Sequence, residues 1–239
     1  MPPANHGSHG PRMPPPIRRH TDVLRETIPL AGRTVLEVGC GAGRLLAWLA
    51  REGAWPFGLD PDPAQLARAR AEVRSVKLVA GVGEALPFAS GRINLVLFFN
   101  SLHHVPLARQ WQALAEAARV LGRGGELLVV EPLPEGEYFA LLKLLEDETE
   151  VRKEAFRALH ATATLGLRLV QEAFYDTRIV EPSWTETRAR FLAANPVRAA
   201  VLAGVEPELQ RLFGELGEPA EGGRAFSQPM RLNLLRRDP

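Results

Sequence analysis

From Thr21 onward, short apolar runs alternate with stretches whose apolar residues recur at helical spacing. Thr34–Val38 reads as a strand. Arg44–Glu52 has the helical period and stops at Gly53, a residue suited to a helix C-terminus. Trp55–Asp60 reads as a second strand. The segment Asp62–Val73 opens with Asp62 as an N-cap and Pro63 at the first helical position, where a missing N–H costs nothing. Val76–Ala80 is a third strand. Ile93–Asn100 is almost wholly apolar, as expected of a strand buried on both faces. Leu107–Leu121 is an amphipathic helix stopped by Gly122, and Gly125–Pro132 is a fifth strand. Strands separated by helix-length segments imply right-handed crossovers, a mostly parallel sheet and helices on both faces.

Past Pro134 the pattern changes. Glu137–Arg157 reads as one long charged helix and Thr164–Phe174 as a further helix. Thr177–Trp184 looks like a sixth strand, Thr185–Leu216 is helical with a break at Pro196, and Gln228–Arg237 closes as a seventh strand. The expected fold is thus α/β: a doubly wound, mostly parallel seven-stranded sheet with helical insertions in the C-terminal third, within 135–225. With no repeat and no linker after residue 20, residues 17–239 are expected to form a single domain. Residues 1–16 are rich in Pro, Gly and His, have no core-forming period, and are expected to be disordered. Within the first twenty residues, His6, His9 and His20 fall at irregular spacing with no Cys or carboxylate beside them, which gives a metal-binding tail little support.

Composition narrows the classes of function. Of 239 residues, 46% are apolar and 24% charged, as in globular proteins, and the net charge of +1 provides no global pull toward nucleic acid or anionic lipid. Three lysines, Lys77, Lys143 and Lys153, stand among many arginines interspersed with acids, without the aromatic interleaving of an RNA platform. The one cysteine, Cys40, excludes an intrachain disulfide and a multi-cysteine zinc site. No apolar run approaches the roughly 20 residues of a membrane span, and the N-terminus lacks the apolar centre of a secretory signal. A cytoplasmic location and no nucleic-acid partner are expected.

The chemistry is concentrated after the first strand, in "EVGCGAG". Gly39, Gly41 and Gly43 bare the backbone between a strand and a helix. Either the turn is merely tight or a ligand touches the main chain there. A hydride-transfer dinucleotide loop wants G-x-G-x-x-G, and Arg44 stands at the third position, which disfavours an NAD(P)-dependent oxidoreductase. Asp60, at the end of the second strand, can accept from two ribose hydroxyls or cap a helix, although Asp62 already serves the cap. "EALPF" (Glu84–Phe88) follows the third strand, and "NSLHH" (Asn100–His104) the fourth.

In that order, E-x-G-x-G-x-G, Asp60, E-A-L-P-F and N-S-L-H-H, the chain from Thr34 to Pro132 resembles the class I S-adenosylmethionine (SAM) methyltransferases, in particular their UbiE-like small-molecule group. The resemblance implies a Rossmann-like fold, SAM as cofactor and S-adenosylhomocysteine (SAH) as product. It implies that Glu37 and the backbone of Gly39, Cys40, Gly41 and Gly43 hold the methionine moiety. Asp60, with Pro61 beside it, would hold the ribose; Val82, Gly83 and Glu84 would border the adenine; and Asn100 would approach the methionine end. Relatives often carry Asp where Val82 stands, and Asp where Asn94 stands. The C-terminal third would shape the acceptor pocket, with Tyr138, His160, Tyr175 and Trp184 as candidate linings.

The transfer that the resemblance implies needs few catalysts. A methyl group on a sulfonium is activated, so alignment and exclusion of water do much of the work. A base is needed only where the nucleophile must lose a proton. His103 and His104 are the candidates for it, or else they shape the pocket wall. No acidic set stands out as a metal site, so no metal is expected, and Glu131 at a strand end is left unaccounted for. A small-molecule acceptor is expected. A SAM-binding regulator or assembly factor without methyl transfer is the alternative, and an assay against metabolite pools separates the two.

Overall fold

A computed structural model of the chain describes residues 15–194 and 197–238. The disorder expected of residues 1–16 falls, for 1–14, outside the described residues. Pro16 lies within them and is paired: its carbonyl accepts from the Asp176 amide at 2.9 Å, and the Arg18 amide donates to the Asp176 carbonyl at 2.7 Å. Helix α1 (His20–Thr27) follows, an element the sequence pattern did not announce. Its buried contribution is only Val23 and Leu24, too few apolar positions to set a period.

Next come β1 (Thr34–Val38), α2 (Arg44–Arg51), β2 (Trp55–Asp60), α3 (Pro63–Glu72), β3 (Lys77–Ala80) and β4 (Ile93–Phe99). Then α4 (Gln110–Val120) and β5 (Leu121–Pro132) complete the parallel half. The expected cap of α3 forms: the Asp62 side chain accepts from the Ala64 amide at 2.8 Å. The C-terminal third holds α5 (Glu137–Lys143), α6 (Thr149–His160), β6 (Leu167–Glu181), α7 (Trp184–Ala194), α8 (Arg198–Leu216), β7 (Glu218–Ala220) and β8 (Gly223–Arg237).

The sheet order is β3-β2-β1-β4-β5-β8-β6, with β7 paired to β8. Strands β3 to β5 along this order are parallel, and β8 runs antiparallel to β5, β6 and β7. The expected doubly wound sheet is present with three corrections. Among the described residues there are eight strands, because the three-residue β7 folds back on β8. The long helix expected over Glu137–Arg157 is two helices, broken between Lys143 and Thr149. The helix expected over Thr164–Phe174 is instead the first half of the fifteen-residue strand β6, preceded by a 3-10 turn at Thr162–Leu165. The break foreseen at Pro196 separates α7 from α8, though Pro196 itself is outside the described residues.

Alternation along the strands explains the apolar run of β4. Val96 and Phe98 pack into the core on one face with Leu36, Val38, Leu114 and Val129. Leu95 and Leu97 face the opposite core with Val35, Leu46, Leu66 and Val130. A third cluster, Leu141, Phe191, Leu202, Leu209, Phe213 and Phe226, packs α5, α7 and α8 against β8 and forms the helical cap. A buried carboxylate ties that cap to the sheet edge. Glu181, 1% exposed, accepts from Tyr138 Oη at 2.9 Å and Thr187 Oγ1 at 3.1 Å, and pairs with Arg190.

Candidate active site

The strand order reverses between β1 and β4, which is where open α/β sheets leave a crevice at the carboxyl ends of the strands. The turn after β1 fills one side of it. Gly39 has φ +76°, and a Cβ there would lie 2.5 Å from the Ser101 Cβ after β4. Gly41 has φ +50°, yet a Cβ on it would meet no atom within 4 Å. Gly43 packs α2 onto α3, where a Cβ would stand 3.1 Å from the Ala69 Cβ. One sequence pattern thus meets three separate demands: close approach of β4, an open face and helix packing.

The open face borders a cavity of about 480 Å³. It brings together Gly39, Gly41, Asp60, Pro61, Gly83, Glu84 and Asn100 from the sequence reading, and adds His104. Asp60, 7% exposed, accepts from the Gly41 amide at 2.8 Å through Oδ2 and from the Asp62 amide at 2.9 Å through Oδ1. It is therefore no cap on α3; it shapes the glycine turn, with one further lone pair on each oxygen for a ligand.

Glu37, Cys40 and Gly43 lie outside that lining. Glu37 is buried beside it, and its Oε2 has no hydrogen-bond partner. Burial, and then the negative charge of Asp60, push its carboxyl well above the usual carboxylate range. The Cys40 side chain packs into the core, and burial pushes its thiol up to about 12. Sequence reasoning did not assign Gln65, Ser101, Val105 or Pro106 to the lining. Gln65 carried a usable signal, being a polar residue in the first turn of the helix that follows Asp60.

Asn100 ends β4 with φ +52°, the one non-glycine residue with positive φ among the described residues. Asparagine tolerates this region better than most side chains. The chain then makes a 3-10 turn, Leu102–His104. Glu131, at the end of β5 and 1% exposed, organises that turn. Its Oε1 accepts from the amides of Ser101 at 3.1 Å and Leu102 at 2.8 Å, while its Oε2 accepts from His103 Nδ1. This is the role the sequence reading left unassigned. Burial alone would lower the His103 pKa, but the charge of Glu131 and its hydrogen bond outweigh that and raise it. Burial would likewise raise Glu131, and His103 draws it below its ordinary value.

A second cavity, of about 220 Å³, lies on the far side of this turn and shares Asn100 and His104 with the first. His103, Tyr138, Glu148, Arg152 and Met230 also line it. Of the residues suggested for an acceptor pocket, Tyr138 alone lines it. Tyr175 is buried and hydrogen-bonded to His20 Nδ1 at 2.8 Å, His160 borders a separate surface depression, and Trp184 packs on Phe213. Glu148 Oε2 accepts from Arg152 Nη2 at 2.6 Å and lies 3.9 Å from His103 Nε2. His103, His104 and Glu148 place one ligand atom each within 4.8 Å of one another. The sequence reading expected no metal, and it could not assemble this group because Glu148 arrives from α6, across the break it missed.

Comparison with known proteins bears on the family and the fold. A family model described as "Methyltransferase domain" matches residues 36–129. An uncharacterized methyltransferase of Synechocystis sp. is 36% identical over 100 residues, 42% of this chain and 47% of that protein. The methyltransferase GfsG of Streptomyces halstedii is 36% identical over 126 residues, 49% of this chain and 45% of that protein. The chain spans about half the length of the curated relatives it matches. Among solved structures, the YcgJ protein of Bacillus subtilis superposes with a TM-score of 0.63 at 16% identity, covering 92% of this chain and 98% of that one. The [4+2]-cyclase SpnF gives 0.61 at 19% identity, covering 91% and 80%. The geranyl diphosphate C-methyltransferase of Streptomyces coelicolor A3(2), solved with SAH, gives 0.57 at 17% identity, covering 91% and 74%.

Proposed function

We propose, for a chain whose residues 36–129 match a methyltransferase domain, that it is a class I SAM-dependent methyltransferase which transfers the methyl group of SAM in line to a small-molecule acceptor. The residues present fit the cofactor. The turn after β1 leaves room at Gly41, where a Cβ would project into open space. The cavity beside it, about 480 Å³, falls in the range of small-molecule sites, about 300–1,000 Å³. Glu37 Oε2 is a buried acceptor without a donor, as a site for the ammonium group of an amino acid requires. Asp60 keeps lone pairs for ribose hydroxyls while holding the turn in shape. Val82, where relatives often have Asp, borders the same cavity, and Glu84 stands beside it for the adenine side. When bound, SAM supplies a methyl group already activated on a sulfonium.

The observation that carries the acceptor reading is the pair of cavities sharing Asn100 and His104. The larger fits the cofactor. The smaller, about 220 Å³ and lined in part by α5 and α6, has the size of a small acceptor. Asn100 and His104 then sit at the seam where methyl group and nucleophile meet, and exclusion of water there favours displacement. His103, locked by Glu131, holds the wall of the smaller cavity. Positioning carries most of the acceleration, and neither histidine is required as a base when the nucleophile has no proton to lose. The buried, unpaired Cys40 suits a reducing, cytoplasmic setting, and among the described residues no helix is long and apolar enough to cross a membrane.

The test is transfer of an isotopically labelled methyl group from SAM into a metabolite extract. The expected result is label in a low-mass product, together with SAH. Label that enters only macromolecules would overturn the small-acceptor reading. Binding of SAH without any transfer would favour a regulator or a non-methylating enzyme, a use to which this fold is also put.

A further inference from the structure

We propose that His103, His104 and Glu148 form a binding site for one divalent transition-metal ion of the zinc class, set in the wall of the smaller cavity. Two imidazoles and one carboxylate are a donor set that zinc takes in sites with an open coordination position. All three side chains line the same cavity. They come from two separate elements, the turn after β4 and the residue preceding α6, so neither a helical repeat nor a run of charge explains their meeting.

The orientation of His103 is the strongest feature. Its Nδ1 donates to Glu131, and Glu131 is fixed in turn by the amides of Ser101 and Leu102. That bond fixes the ring and turns its other nitrogen, Nε2, toward Glu148 Oε2 at 3.9 Å. A carboxylate or carbonyl behind the imidazole is the usual support of a metal-binding histidine. The histidine rings lie 4.1 Å apart between centroids, inclined at 47°. Bonds of about 2.0–2.2 Å at a tetrahedral ion separate ligand atoms by about 3.4 Å. The observed separations, all within 4.8 Å, close to that by rotation of His104, which is exposed, and of Glu148, which is half-buried.

Arg152 is the competing cation. Both its bonds to Glu148 fall on Oε2, the oxygen that faces His103, and it also donates to the Leu133 carbonyl, so a metal must either share Oε2 with Arg152 or take Oε1 after Glu148 turns. Arg198, the other guanidinium lining the cavity, is paired with Glu146. An entering dication meets two carboxylates, Glu131 and Glu148, with Arg152 bonded to Glu148 and the buried Arg231 guanidinium acting on Glu131. Three protein ligands leave a fourth position, which faces the cavity and suits water or an acceptor oxygen. Only that last use rests on the methyltransferase reading; the site itself is read from its ligands.

The test is titration of the chelator-treated full chain with cobalt(II), read as visible ligand-field absorption. A saturable, intense band of four-coordinate type is expected at one equivalent, abolished by added zinc. His104→Ala and Glu148→Gln should each weaken cobalt binding at least about tenfold, with thermal melts confirming that both variants fold. The double variant His6→Asn, His9→Asn should retain the band. Absence of a saturable band in the wild-type protein, or a band that survives His104→Ala and Glu148→Gln but vanishes in the tail variant, overturns the proposal. Protein that takes cobalt but not SAH supports the site and removes only its use on an acceptor.

Discussion

Single residues decide whether the turn after β1 holds a ligand or merely folds. Gly39 and Gly41 look alike in the sequence, and the structure separates them. A side chain on Gly39 collides with Ser101, whereas one on Gly41 enters open space. Gly41→Val is therefore expected to abolish SAH binding and shift the melting temperature modestly, through the strain of a Cβ at positive φ. Gly39→Ala is expected to lower the melting temperature more than Gly41→Ala. Calorimetry and thermal melts on the variants check this, and a folded Gly41→Val protein that binds SAH normally would show that the ligand does not approach that backbone. At this scale the sequence was most legible where a residue's job is local. Asp62 caps the helix it precedes, and the glycines fall at a strand end. What one chain position cannot show is a partner brought from elsewhere. Glu131 looked idle because its partners, the amides of Ser101 and Leu102 and the ring of His103, belong to another loop. The Asp60 bond to Gly41 could not be read either, since it depends on how β1 and β2 align.

Elements were legible in the parallel half and less so beyond Pro134, for a physical reason. Strands β1, β4 and β5 carry enough buried apolar positions to declare themselves. Strand β6 lies at the sheet edge and is exposed over most of its first half, so Arg168–Phe174 carries no alternation, and its Leu, Arg, Gln, Glu and Ala are good helix formers. Pairing with β8 overrides that preference. The break before α6 has no Gly or Pro. Its signal is Asp147, whose side chain accepts from the Thr149 amide at 3.0 Å and starts a new helix. Helix α1, unannounced in the sequence, is pinned to the sheet by His20, which bonds Tyr175 and meets Phe99 edge-on. Burial holds the His20 imidazole down to about 4. Unfolded, it would titrate near 6.5, so between these values the unfolded state binds the extra proton. Stability is therefore expected to rise with pH from about 4 to about 6.5, by at most about 3 kcal/mol from this group, and to gain nothing from it above that window. His20→Gln should flatten that limb in denaturant melts taken across the window. An unchanged slope would mean that His20 is solvated and that α1 does not depend on it.

Across the whole molecule, one parallel sheet supplies the cofactor side and the helical cap supplies a second chamber. The same fold serves a [4+2]-cyclase, so architecture alone does not name a reaction. The sequence motifs point to one cofactor, and the Gly41 opening, the orphaned Glu37 oxygen and the Asp60 carboxylate supply the physical grounds for it. What the acceptor is depends on side chains from α5, α6 and β8, where the sequence was least legible, and so on contacts that no local pattern records. The central claim is that the crevice between β1 and β4 is a SAM site rather than a dinucleotide site. Isothermal titration of the full chain with SAH and, separately, with NADH tests it most directly. The account predicts saturable binding of SAH with one-to-one stoichiometry and no measurable heat from NADH. Tight NADH binding with no response to SAH would contradict it.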